Sequence, residues 1–75
     1  MAKVVDVRGL SCPEPVIRTK EALEAMSSGE VVVLIDREAA RENVLRLARS
    51  FGCIVEVVEE DGDFKLTITK EDERT

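Results

Sequence analysis

Cys12, in the run Gly9-Leu10-Ser11-Cys12-Pro13-Glu14-Pro15, is the residue of this sequence best placed to do chemistry. The chain has no His, Tyr or Trp, so it has no imidazole base, no phenol acid and almost no stacking platform for nucleic-acid bases. What remains is carboxylates, Lys and Arg, hydroxyls and two thiols, Cys12 and Cys53. Two distant cysteines with no C-x-x-C pair are too few for a zinc site and too sparse for a disulfide scaffold. No metal and no cofactor is expected, and at least one thiol should be free.

Thiol reactivity depends on surroundings. Pro13 suits the first position of a helix, where its missing N–H costs nothing, which predicts a helix from Pro13 to Met26 with Cys12 as its N-cap. A thiol there meets the positive end of the helix dipole and unpaired N–H groups, and both favour the thiolate. Pro13 and Pro15 stiffen the first turn but donate nothing, so the charge is expected to rest on later amides, the dipole and Arg8 or Arg37 across the edge. Glu14 opposes it, and the sign of the net effect stays open. The competing reading is a small buried capping residue, since free Cys is often buried. A Gly-Leu-Ser-Cys-Pro turn favours exposure. Cys53 opens an apolar strand and is expected to pack in the core.

The elements that must position Cys12 follow from patterning. Residues 3–8 (KVVDVR) form a first strand closed at Gly9, and Ser27, Ser28 and Gly29 end the helix after it. Glu30 to Asp36 (EVVVLID) is a central strand expected to be largely covered on both faces. A second helix starts near Asp36, with Ala40, Val44, Leu47, Ala48 and Phe51 on one stripe and Gly52 as its stop. CIVEVVEE and DFKLTITK then flank Asp61-Gly62, a favoured hairpin pair. The predicted fold is α/β: a two-layer β-α-β-α-β-β sandwich whose mixed four-stranded sheet has three parallel strands, an antiparallel last strand and both helices on one face. A chain of 75 residues buries roughly 60% of its unfolded surface, which predicts one domain over 1–70 and a charged, frayed tail over 71–75. Cys12, Asp36, Arg37 and the acidic tip from Glu59 to Asp63 share the edge at the C-terminal strand ends, where such sheets bind ligands. Cys53 falls at the opposite edge, so no Cys12–Cys53 disulfide is expected.

The run from Asp6 and Arg8 through Cys12-Pro13-Glu14-Pro15-Val16 resembles the Cys-Pro-x-Pro signature of the TusA/SirA/YedF family of small sulfur carriers. The likeness continues through Lys20 to Leu23, Asp36, Glu42-Asn43-Val44, Phe51-Gly52 and Leu66 to Thr69, and so spans essentially the whole chain. The later half is most similar to the N-terminal module of YedF-type proteins, which are linked with selenium metabolism. The resemblance implies that Cys12 accepts sulfane sulfur as a persulfide, with Pro13, Glu14 and Pro15 as its mount. It implies a cysteine desulfurase or rhodanese-like donor and a downstream acceptor in a pathway such as tRNA thiolation or cofactor synthesis. No role carries over to Cys53.

Eight of the sixteen acidic residues lie in 53–75 against three basic ones, whereas Arg37, Arg41, Arg46 and Arg49 make the second helix locally basic. Together with Arg8, Arg18 and Lys20 these cations are either a docking zone or a solvated face with Glu38 and Glu42 interleaved. Ile17 points away from the apolar stripe and is a candidate partner anchor. A net charge of −5 with two Phe as the only aromatics opposes nucleic-acid binding. Without His or a resolving thiol at the same edge, a self-sufficient enzyme is disfavoured. The alternative to a carrier is a non-catalytic adaptor or regulator of the same fold. No charged-then-apolar leader opens the sequence and no apolar run reaches the ~18 residues of a membrane span, which predicts a cytoplasmic protein.

Overall fold

The structure, a computed structural model, describes residues 3–71, so residues 72–75 of the predicted frayed tail lie outside the described residues. The elements run β1 (Lys3–Asp6), α1 (Glu14–Glu24), β2 (Gly29–Ile35), α2 (Glu38–Ser50), β3 (Ile54–Glu60) and β4 (Asp63–Lys70). This is the expected order. The sheet order is β1-β2-β4-β3, with β1 parallel to β2 and β4 antiparallel to both β2 and β3. β1, β2 and β3 therefore point the same way.

Alternation explains which residues build the core. On β2, Val31, Val33 and Ile35 are buried while Val32 and Leu34 are only half-buried, because the helices cover one face alone. The expectation that β2 is covered on both faces is corrected on that point, and Val32 belongs to the open face. Register then places Val31 beside Ile68, Val33 beside Leu66 and Ile35 beside Phe64, all facing the helices. Leu23 and Ala22 of α1 and Val44 and Ala48 of α2 close the layer. Fully burying a Leu, Ile or Val side chain contributes about 1.5–3 kcal/mol, so this one layer carries most of the hydrophobic stabilisation.

The ends of the elements are set by local chemistry. Asp61 and Gly62 have φ of 52° and 84°, the two left-handed residues that a type I′ hairpin turn requires. α2 stops as Gly52 predicts: at φ 73° the Gly52 N–H donates to Arg49 O at 2.9 Å and the Cys53 N–H to Ala48 O at 3.0 Å, a Schellman motif. α1 has no basic residue in its last turn. Its terminal carbonyls are met instead by Lys70 of β4, whose Nζ donates to Leu23 O at 2.6 Å and Met26 O at 2.7 Å. Among the described residues no helix is long and apolar enough to cross a membrane.

Candidate functional site

The segment that carries Cys12 is fixed on both sides. After β1, the Val7 N–H donates to Leu34 O at 3.0 Å and the Val7 side chain is buried, so the chain stays on the sheet one residue longer. It then turns at Gly9, whose φ of 80° suits a residue without Cβ. The Gly9 N–H donates to Asp36 Oδ2 at 2.9 Å, which ties this loop to the end of β2. Asp36 thus holds the loop rather than opening α2.

Beyond the loop, the Glu14 N–H donates to Ser11 O at 2.9 Å across a cis Cys12–Pro13 bond, in a turn of the kind that carries cis proline at its third position. Pro13 O accepts from the Ile17 N–H at 3.1 Å, so Pro13 is the N-cap residue and α1 begins at Glu14. The predicted N-cap role of Cys12 is therefore corrected: the cysteine stands in the turn before the helix, exposed, and no side chain caps α1. The reason is that the first helical hydrogen bond goes to the Pro13 carbonyl. Pro15 is buried, and its carbonyl accepts the hydroxyl of fully buried Thr19 at 2.8 Å. Glu14 faces Arg18, with Oε2 3.4 Å from Nε, so a cation stands beside the carboxylate that would oppose a thiolate.

Cys12 forms one wall of a small recess of about 60 Å3 between the loop and the two helices. Leu10 comes from the loop, Pro15 and Val16 from α1, and Ala39, Ala40 and Asn43 from the first turns of α2, with Arg37 at the N-cap of α2. Val16 and Asn43 also line a shallow apolar trough that continues between the helices past Pro13, Arg46, Leu47 and Ser50. Leu10, Ala39 and Asn43 were not singled out as site residues by sequence, although Asn43 falls within the stretch that carries the family likeness and Ala39 lies next to Ala40 of the apolar stripe.

Of the residues proposed to act with Cys12, the structure brings in Arg37 and places Ile17 on the exposed side of α1, at 41% exposure. It does not bring in Arg8 or Arg41. Arg8 is gripped by Asp6 through Nε at 2.9 Å and Nη2 at 2.8 Å, with Asp63 Oδ2 at 3.5 Å, and lines a separate recess with Glu60, Asp61 and Asp63. Its hydrogen bonds hold the exposed Asp6 carboxyl at a pKa of about 2, below the ordinary 3.8, and push its own pKa further up. Arg41 lies over the Phe64 ring at 4.9 Å and pairs with Glu42 at 2.8 Å. Both arginines are held by carboxylates, and Arg41 by an aromatic face as well. Cys53 precedes β3 at the far end of the sheet, half-buried against the core as expected. Burial raises its thiol pKa, with nearby Lys70 acting weakly the other way.

Comparisons with known proteins agree with this geometry. The family model described as Sulfurtransferase TusA matches residues 3–70. The chain is 40% identical over 70 residues to a Methanocaldococcus jannaschii protein named "Putative sulfur carrier protein", covering 91% of this chain and 93% of that one. It is 35% identical over 68 residues to the sulfur carrier protein TusA of Allochromatium vinosum, covering 88% and 90%. The crystal structure of a SirA-like protein from Desulfitobacterium hafniense superposes with a TM-score of 0.86 at 37% identity, covering 95% of this chain and all of that one. With the Cys-Pro-x-Pro turn in place on the same two-layer fold, the chain belongs to the TusA sulfurtransferase family.

Proposed function

We propose that the protein is a sulfur carrier in which Cys12 accepts a sulfane sulfur from a donor persulfide and relays it to an acceptor protein. The observation that carries this reading is the exposed Cys12 thiol on a turn tethered at Asp36 and at buried Pro15, in a chain of this family. Such a carrier needs one accessible nucleophilic sulfur and a rigid mount, and Pro13, Glu14 and Pro15 supply the mount. In loading, the Cys12 thiolate attacks the outer sulfur of R–S–SH, a new S–S bond forms at Cys12 as the donor S–S bond breaks, and the electron pair leaves on the donor thiolate RS⁻. Unloading is the same displacement by an acceptor thiolate on Cys12–S–SH, which regenerates the Cys12 thiolate. The donor is a cysteine desulfurase or rhodanese-like protein, and the acceptor serves a pathway such as tRNA thiolation or cofactor or selenium metabolism.

Intact mass spectrometry without reductant, after incubation with a cysteine desulfurase and cysteine or with an inorganic polysulfide, tests the reading. Wild type and Cys53→Ser should gain mass in units of one sulfur atom, and Cys12→Ser should not. Sulfur on Cys12→Ser, or none on wild type from either source, removes the carrier reading and leaves the adaptor.

A further inference from the structure

The recess beside Cys12 has a chemistry of its own. Its walls are almost wholly hydrocarbon, from Leu10, Pro15, Val16, Ala39 and Ala40, and Arg37 is the one charged residue that lines it. Resting on the carrier reading above, we propose that this recess is the seat of the outer sulfur of persulfidated Cys12, with Arg37 as the positioning residue for its negative charge.

Size comes first. An S–S bond of about 2.05 Å carries the outer sulfur only a short step from the Cys12 Sγ, and Cys12 is itself part of the wall. A recess of about 60 Å3 takes one such atom without crowding its walls. Character comes second. Sulfur in this state is soft and polarizable and packs well against C–H groups. Among the lining side chains only Arg37 and Asn43 donate hydrogen bonds, and the other contacts are apolar. The recess therefore suits a soft, polarizable atom.

Charge comes third. Among the described residues Arg8, Arg18 and Arg41 are paired with carboxylates, whereas Arg37 has no ion-pair partner. Two carboxylates near this edge are occupied elsewhere, Asp36 by the Gly9 N–H and Glu14 by Arg18. Arg37 is also the N-cap of α2 without any side-chain cap hydrogen bond, and Ala39 and Ala40 put only methyl groups over that first turn. The open N–H end of α2 adds to the attraction that Arg37 exerts on the anion.

The test uses the full chain loaded with inorganic polysulfide, so that no protein docking enters the readout. A neutral water-soluble phosphine then strips the outer sulfur as phosphine sulfide and returns the Cys12 thiolate, and mass spectrometry follows the loss of one sulfur. Arg37→Gln, and Ala39→Phe to fill the recess, are both changes at exposed positions, and the stripping rate of each is read on the fraction that has taken one sulfur on Cys12. Each should lose its sulfur about threefold to fivefold faster, the scale set by one exposed charge interaction. Arg37→Lys should restore most of the protection. Equal stripping rates in wild type and both variants overturn the seat and leave the carrier reading standing. A wild type that takes no sulfur on Cys12 removes the carrier reading and the seat with it.

Discussion

Arg8 and Arg37 stand four residues before and twenty-five after Cys12, and patterning alone offers both as partners for its thiolate. Their surroundings separate them: Arg8 closes onto Asp6 and Asp63, while Arg37 stays at the recess. The Asp6 pairing has a pH signature. With a folded pKa of about 2 against an ordinary 3.8, the charged form is favoured in the native state. Its stabilisation is therefore complete above about pH 4 and is lost as the pH falls towards 2. Asp6→Asn should lower the melting temperature at pH 7 by no more than a few degrees, as befits an exposed pair, and that deficit should vanish by pH 2 in thermal scans. A deficit of the same size at both pH values means that Asp6 acts through packing instead. Cys12, its two prolines and exposed Ile17 were legible because turn chemistry and helical phase are local properties. The destinations of Arg8 and Arg41 were not: their short ion pairs go to Asp6 and Glu42, close in sequence but indistinguishable by pattern from other carboxylates, and Asp63 and Phe64 join only in the folded sheet.

At the scale of elements, the stops were easier to read than the starts. Gly52 and the Asp61-Gly62 pair announce left-handed backbone wherever they stand, and the structure uses them so. The start of α1 turned on which carbonyl takes the first helical bond, and composition does not reveal that this is Pro13 rather than Cys12. The end of α1 was hidden for another reason: the cation that completes it comes from β4, and only the sheet brings Lys70 to Leu23 and Met26. Lys70→Met keeps an unbranched apolar side chain but removes both hydrogen bonds, the charge and its contact with the Phe51 ring. Urea unfolding at pH 7 should show a loss of about 1–2 kcal/mol, typical of a charged donor on helix-end carbonyls. No loss at all means that water satisfies those carbonyls equally well.

At the scale of the whole molecule, strand directions and the helix-covered face were foreseeable from alternation and crossover handedness, whereas the unbroken apolar run of β2 suggested covering on both faces, which two helices on one side do not give. The resulting molecule leaves Cys12 and Ile17 exposed, and an apolar trough runs between the helices past Pro13 and Val16. If a donor protein docks there, Ile17→Asp should leave loading by polysulfide unchanged while slowing transfer from a cysteine desulfurase by about five- to tenfold in a time course read by mass. Equal slowing with both donors places the effect at the thiol itself and excludes Ile17 as an anchor. The opposite placement of the two thiols has a further consequence. Cys12 follows the last residue of β1 and Cys53 precedes the first of β3, two parallel strands, so most of a strand's length lies between them, well beyond the ~7 Å Cα separation that a disulfide spans. On the carrier reading, a sulfur on Cys12 meets no second thiol of its own chain: Cys53 cannot reach it to expel it as sulfide, so release waits for a thiol from another molecule.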